Sequence, residues 1–183
     1  MIHKLVNVSM NGRMAYTIMC VEAFLVNQYP DRDWRLIAEK MWEATTTNWG
    51  DWPMMYLRYL PDIIFDDDGY DREYFGPYMT QQEFEQLKAF YSGITEGRED
   101  DPTDEVNYML NKPFEMAMVY EGTGIGDGHE SLEIIDEAEK VLTDHHIALP
   151  DHNLVKFSPS SEFNGWGYKF DGPHLSIILN SRK

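Results

Sequence analysis

The sequence predicts an α+β, mainly α fold: a bundle of about six helices around a central apolar helix (12–29), with a small C-terminal antiparallel three-stranded sheet. Two patterns lead to this prediction. Apolar side chains recur at helical spacing through most of residues 1–150, whereas they alternate with polar ones after residue 153. The 183 residues fit one domain, and no linker is long enough to divide them. We therefore expect a single domain over 1–183, mainly helical over 1–150, with a β-meander over 151–183 packed on it.

The central helix is predicted because segment 12–29 is apolar on nearly every side. Met14, Ile18, Val21 and Leu25 form one stripe, and further apolar residues widen it. Such a helix is buried in the middle of a domain. It is too short and too often interrupted to span a membrane, which takes about 20 mostly apolar residues.

Capping residues and apolar periodicity predict the remaining helices. Asp51 with Pro53 is a typical helix start, and the segment Thr80–Glu83 has the spacing of a capping box. The segment 114–121 alternates like a strand, but its composition and the preceding Pro113 favour a helix. The predicted helices cover about 32–46, 52–60, 81–92, 102–110, 114–121 and 131–143, with an interruption at 111–113 and an acidic loop at 62–78.

The predicted sheet consists of three short runs of alternating residues, 154–157, 166–170 and 175–179. Asp171-Gly172 would form the hairpin turn between the last two strands. The aromatic side chains of the second strand would share one face, which the helices must cover.

Charge is unevenly distributed along this acidic chain, whose formal net charge is −17. Residues 62–105 carry fourteen acids and three bases, and residues 115–151 carry ten acids and one base. This balance argues against nucleic acid as a direct partner, because binding phosphates requires Lys and Arg, and against an anionic membrane surface. The lone Cys20 allows no intrachain disulfide and, with no basic-then-apolar leader in the sequence, predicts a cytoplasmic protein.

The acidic segments have two interpretations. A solvated surface is the commoner one. The other is a face that binds a basic protein, with the contact carboxylates Asp66, Asp67, Asp68, Asp71, Glu99, Asp100 and Asp101. A calcium-binding EF-hand does not fit, because aligning Gly69 places Ile64 and Phe75 where carboxylate ligands belong. We predict no metal and no cofactor.

No catalytic motif stands out in the sequence. The glycine-rich loop Gly122–Gly128 lacks the Gly-Lys-Ser/Thr that ends a Walker loop, and His129-Glu-x-x-Glu133 lacks the second histidine of a zinc protease. No catalytic residue is predicted. The alternative hypothesis is a small-molecule or metal-dependent enzyme that uses loop 122–128 with Asp127, His129 and Glu133.

In overall type the chain resembles the immunity proteins of bacterial toxin–immunity systems, which are small, cytosolic, often acidic and without catalytic motifs. One stretch near the C-terminal end has family-specific character, NGWGYKFDGPHLSIIL, residues 164–179. The resemblance is one of class and carries over no functional residues. It implies an inhibitor that neutralises a basic toxin enzyme, such as a nuclease, by covering its cationic site. A third hypothesis, an acidic scaffold or accessory subunit, implies partner binding without inhibition.

Overall fold

The computed structural model describes residues 4–47, 49–66, 68–98, 101–119 and 129–181. The structure is mainly helical, with 59% of residues in helices. Within the described residues it has eight α-helices: α1 Met10–Gln28, α2 Arg35–Trp42, α3 Trp52–Tyr56, α4 Pro61–Ile64, α5 Arg72–Phe75, α6 Gln81–Tyr91, α7 Glu105–Met118 and α8 His129–Asp144. Short 3₁₀ helices cover Glu43–Thr45, Leu57–Tyr59, His152–Val155, Phe163–Gly165 and Gly172–Leu175. The mainly helical prediction is confirmed, although the helices number eight rather than about six.

The helix α1 forms the centre of the molecule, as its sequence predicts. Every residue from Met10 to Leu25 is buried, and α7 and α8 are its main neighbours. Ser9 caps the helix by accepting a hydrogen bond from the backbone N–H of Gly12 at 3.2 Å. None of the described helices has the length and apolar composition needed to cross a bilayer.

Helix α7 runs through the predicted interruption at 111–113, with Pro113 inside it. A proline in a helix interior removes one backbone hydrogen bond and usually costs about 3 kcal/mol. Here Leu110 and Met116, three residues to either side of Pro113, are fully buried, so packing outweighs that local cost. Helix α6 begins at the capping box, whose Thr80 and Glu83 bonds are both present.

The predicted three-stranded sheet is wrong. The described residues contain no β-strand, and 154–157, 166–170 and 175–179 form 3₁₀ turns and irregular backbone, with an isolated antiparallel bridge between Val8 and Pro159. At the predicted second strand the backbone cannot stay extended, because Phe163, Asn164, Gly165 and Gly167 all have positive φ. The predicted hairpin turn at Asp171-Gly172 is also wrong, because Gly172 begins a 3₁₀ helix packed on Thr45.

The C-terminal segment (151–181) satisfies its backbone polar groups by bonding to the helical body. The carbonyl of Trp166 accepts a hydrogen bond from the N–H of Asn11, and the N–H of Phe170 donates to the carbonyl of Thr45. Glu22, buried in α1, accepts hydrogen bonds from Trp42 Nε1 (2.8 Å), Ser176 Oγ (2.6 Å) and the N–H of Ile177 (2.8 Å). Backbone and side-chain groups of the helical body therefore replace the hydrogen-bond ladder of a sheet.

Candidate functional site

Carboxylates from separate parts of the chain line three adjoining depressions on one side of the molecule. The first has a volume of about 640 Å³, the second about 660 Å³ and the third about 260 Å³. Phe65 lines both the first and the second, and Asp66 lines both the second and the third. We call this surface the acidic face and define it by its eight lining carboxylates: Asp62, Asp66, Asp68, Asp71, Glu96, Asp104, Glu105 and Glu115.

The acidic residues that follow α4 lie beside those of the loop 95–104 because this loop lies against α4. A Cβ added to Gly97 would be 2.6 Å from the carbonyl oxygen of Pro61, so only glycine allows this approach. On the neighbouring turn, the N–H of Asp62 donates to Asn107 Oδ1 at 3.2 Å. Residues far apart in sequence are thereby held side by side.

Asp104 holds the described first part of the loop 95–104 in place. Its buried Oδ2 accepts hydrogen bonds from the backbone N–H groups of Glu96 and Arg98, each at 3.0 Å. Arg98 also pairs with Asp101 at 2.8 Å, and it is the one base among the described residues that line the acidic face. These bonds tie the described residues 96–98 of the loop to the start of α7.

Asp101 is engaged within its own loop. It accepts hydrogen bonds from the hydroxyl and the N–H of Thr103, and these bonds, with Arg98 adding a smaller effect, hold the pKa of Asp101 below its ordinary value. Its charge therefore persists into more acidic solution.

The third depression carries the predicted carboxylates Asp66, Asp68 and Asp71, all of them exposed. Asp71 caps α5 by accepting from the N–H of Glu73 at 2.7 Å. No Lys, Arg or His is among the described residues lining this depression. Its local negative potential can therefore attract an ammonium or guanidinium group.

A buried cation borders the second depression. Lys112, on α7, pairs with Glu115 at 2.8 Å and Glu137 at 2.6 Å, and its amine lies 3.7 Å from the Tyr108 ring centre. Burial by itself would lower the pKa of Lys112, but the hydrogen bonds that its amine donates to the two carboxylates outweigh burial and raise the pKa. This cluster joins α7 to α8 beneath the acidic face.

The structure brings Asp66, Asp68 and Asp71 together and places Asp101 in the adjacent loop. The predicted contacts Asp67, Glu99 and Asp100 lie outside the described residues. Among the residues that are described, no group of three or more His, Cys, Asp or Glu side chains is arranged to hold a metal ion.

The alternative site is only partly described. The loop 122–128, including Asp127, lies outside the described residues. His129 and Glu133 lie on the first turns of α8, where His129 Nδ1 is 3.1 Å from a Glu133 oxygen and both side chains are more than 60% exposed. This pair is a solvated i, i+4 contact.

A second surface was not expected from the sequence. An aromatic cleft of about 350 Å³ lies at the N-terminal end of α1, lined by Trp49, Phe163, Trp166 and Tyr168 with Asn11 and Lys169. The sequence analysis placed Trp166 and Tyr168 on the buried face of a strand, but Tyr168 is 64% exposed. The signal that could have located the cleft is the concentration of aromatic residues and glycines over 163–168.

Comparison of the chain with protein-family models, curated proteins and solved structures gives no match.

Proposed function

We propose that this chain is an acidic binding protein of the immunity type, which acts in the cytoplasm by covering the cationic site of a toxin enzyme such as a nuclease. The observation that carries the proposal is that Phe65 and Asp66 are each shared by two adjoining depressions, so that the lining carboxylates form one acidic face. A nuclease presents a basic groove to its substrate, and that groove is a ready docking site for carboxylates.

The acidic face also has the apolar floor that a protein interface needs. Ile63, Phe65, Tyr108 and Phe114 line it between the carboxylates. Interfaces gain most of their affinity from apolar and aromatic centres, while charged rims set the association rate and the choice of partner. The combination suits a basic protein with aliphatic or aromatic side chains among its Lys and Arg residues.

The hydrogen bonds that hold residues 96–98 to Asp104 support the proposal energetically. Ordering a loop upon binding subtracts from affinity, and a loop already held by Asp104 avoids most of that cost. The proposed mechanism is therefore rigid-body occlusion, in which no bond is made or broken.

The test uses the basic C-terminal domain that we expect the reading frame beside that of this chain to encode. The domain is expressed alone and mixed with the purified protein, and both affinity and enzyme activity are measured at about 0.05 M and 0.3 M salt. We expect inhibition at equimolar protein and a clear loss of affinity at the higher salt. Binding without inhibition would support the scaffold hypothesis instead, and no binding would contradict the proposal.

Matched charge reversals separate the acidic face from overall charge. Asp66→Lys/Asp68→Lys changes the acidic face, whereas Glu130→Lys/Glu133→Lys makes the same charge change on exposed positions of α8. We expect the first variant to weaken binding by about a hundredfold and the second by less than about threefold. Equal effects of the two variants would mean that net charge alone governs the interaction.

A further inference from the structure

The aromatic cleft combines four aromatic side chains around one opening. Trp49 and Trp166 meet edge to face with ring centres 5.4 Å apart, and Phe163 and Tyr168 lie 6.1 Å apart at a tilt of 36°. Phe163 and Tyr168 are each 64% exposed, which is unusual for two neighbouring aromatic rings in one segment. The cleft volume of about 350 Å³ falls within the range of small-molecule sites.

The backbone around the cleft is held in an unfavourable conformation. Phe163 and Asn164 have φ values of 45° and 55°, which are rare for residues other than glycine and particularly so for a bulky one. The carbonyl of Glu162 accepts hydrogen bonds from the N–H groups of Gly165 and Gly167 and so closes this turn. Strain of this kind persists where the surroundings impose it, and it is concentrated at binding sites.

The first turn of α1 fixes the floor of the cleft. Asn11 donates its backbone N–H to the carbonyl of Trp166 and its side-chain amide to the carbonyl of Gly167, each at 3.0 Å. Gly167 is packed so tightly that a Cβ there would be 2.1 Å from Ser9 Oγ. The walls are thus attached to the central helix and are formed without a ligand.

The residues that line the aromatic cleft determine which kind of ligand fits it. Aromatic walls favour a planar ring, which can stack or meet them edge on. Lys169 is the one charged side chain among the described residues that line the cleft. Aromatic rings attract cations, but a cationic ligand in this cleft would be repelled by the ammonium group of Lys169. An anionic ligand would be stabilised by it.

We propose that the aromatic cleft binds a small planar aromatic acid, with its ring against Trp166 and Tyr168 and its anionic group towards Lys169. The site is separate from the acidic face. Asn11 lines the cleft and Tyr29 lines the first acidic depression, so the length of α1, about 27 Å, lies between them.

Three probes that share the indole ring system but differ in charge test the proposal: indole-3-acetate (anionic), indole (neutral) and tryptamine (cationic). Their binding to the full chain is measured by titration calorimetry and by ligand-observed NMR. We expect indole-3-acetate to bind about tenfold more tightly than tryptamine, with indole between them, although the protein as a whole is strongly acidic. The reverse order, or no binding of any probe, would overturn the proposal.

Matched variants locate the site. Tyr168→Ala should weaken all three probes by at least about fivefold, whereas Phe157→Ala, which changes an exposed aromatic residue outside the cleft, should leave them unchanged. Lys169→Gln should remove the preference for indole-3-acetate over indole, and Lys156→Gln on the same segment should retain it. Each variant is checked by its thermal unfolding. Equal effects of Lys169→Gln and Lys156→Gln would contradict the anionic specificity.

Discussion

The C-terminal segment and the acidic face are both built mainly from short helices and irregular backbone, yet they use polar residues in opposite ways. In the C-terminal segment, polar groups point into the molecule: Ser176 and Ile177 bond to the buried carboxylate of Glu22. On the acidic face, carboxylates such as Asp66 and Asp68 are exposed to solvent. The first arrangement maintains the fold, whereas the second leaves its charge available to a partner.

This difference shows that the position of a carboxylate, rather than its number in the sequence, decides its role. Glu22 lies within residues 1–61, whose six acids and six bases cancel. Removing it should affect folding more than removing any exposed carboxylate of the acidic face. Substitutions in the two regions should therefore separate stability from binding.

Glu22→Ala should have the largest effect on stability. It leaves the buried donors of Trp42, Ser176 and Ile177 without an acceptor, and we expect the free energy of unfolding to fall by about 4 kcal/mol. Urea denaturation followed by circular dichroism measures the loss. Glu39→Ala, at an exposed position of α2, is the matched control and should change stability by less than about 0.5 kcal/mol.

Gly167→Ala and Gly69→Ala compare the two regions at one type of backbone position. Both glycines have positive φ, 73° and 67°, but the added methyl would collide with Ser9 at Gly167 and would meet open space at Gly69. We expect losses of about 3 kcal/mol and about 1 kcal/mol in the free energy of unfolding. Equal losses would mean that the C-terminal segment adjusts freely and is not closely packed on α1.

The contributions of Glu22 and Asp101 to the stability of the fold should change with pH in opposite directions. Burial raises the pKa of Glu22 above its ordinary value of 4.5, with the bonds from Ser176 and Trp42 partly offsetting the shift. The folded state then binds this proton more tightly than the unfolded state, so its contribution to stability decreases as pH rises from 4.5 through the folded pKa. For Asp101, whose pKa is lowered, the contribution is present above 3.8 and is lost as pH falls through the folded pKa.

Unfolding free energies of the wild type, Glu22→Gln and Asp101→Asn between about pH 3 and pH 8 check these signs. The unfolding free energy of the wild type minus that of Glu22→Gln should decrease with rising pH. The unfolding free energy of the wild type minus that of Asp101→Asn should decrease with falling pH. A difference for Glu22→Gln that grows with pH would mean that the three donors outweigh burial and keep this carboxylate ionised.

The sequence predicted the parts of the fold that depend on local patterns. Helix α1 follows from apolar residues on nearly every side, and α6 follows from the Thr80 capping box. The C-terminal prediction failed because alternating aromatic residues fit a strand as well as an irregular segment that lies on helices. The deciding factors were the distant acceptor Glu22 and the positive φ of Phe163, and no local signal marks either of them.

The candidate site, like the fold, could be predicted from the sequence only in part. The acidity of 62–105 is visible in the sequence, and Asp66, Asp68 and Asp71 do lie on one depression. Their union with loop 95–104 depends on the close approach of Gly97 to Pro61, which is a tertiary contact. Charge patterning can therefore name candidate carboxylates, but only packing decides which of them share a face.

Asp66→Asn/Asp68→Asn should have the smallest effect on folding. Asn keeps the size and one acceptor of Asp, and both positions are exposed, so the free energy of unfolding should change by less than about 0.5 kcal/mol. Any change should be a gain at low salt, because the two losses of negative charge reduce repulsion within the acidic face. Thermal unfolding at two salt concentrations measures this effect. A large loss would mean that Asp66 and Asp68 serve the fold, and that their exposure on the acidic face does not reflect a role in binding.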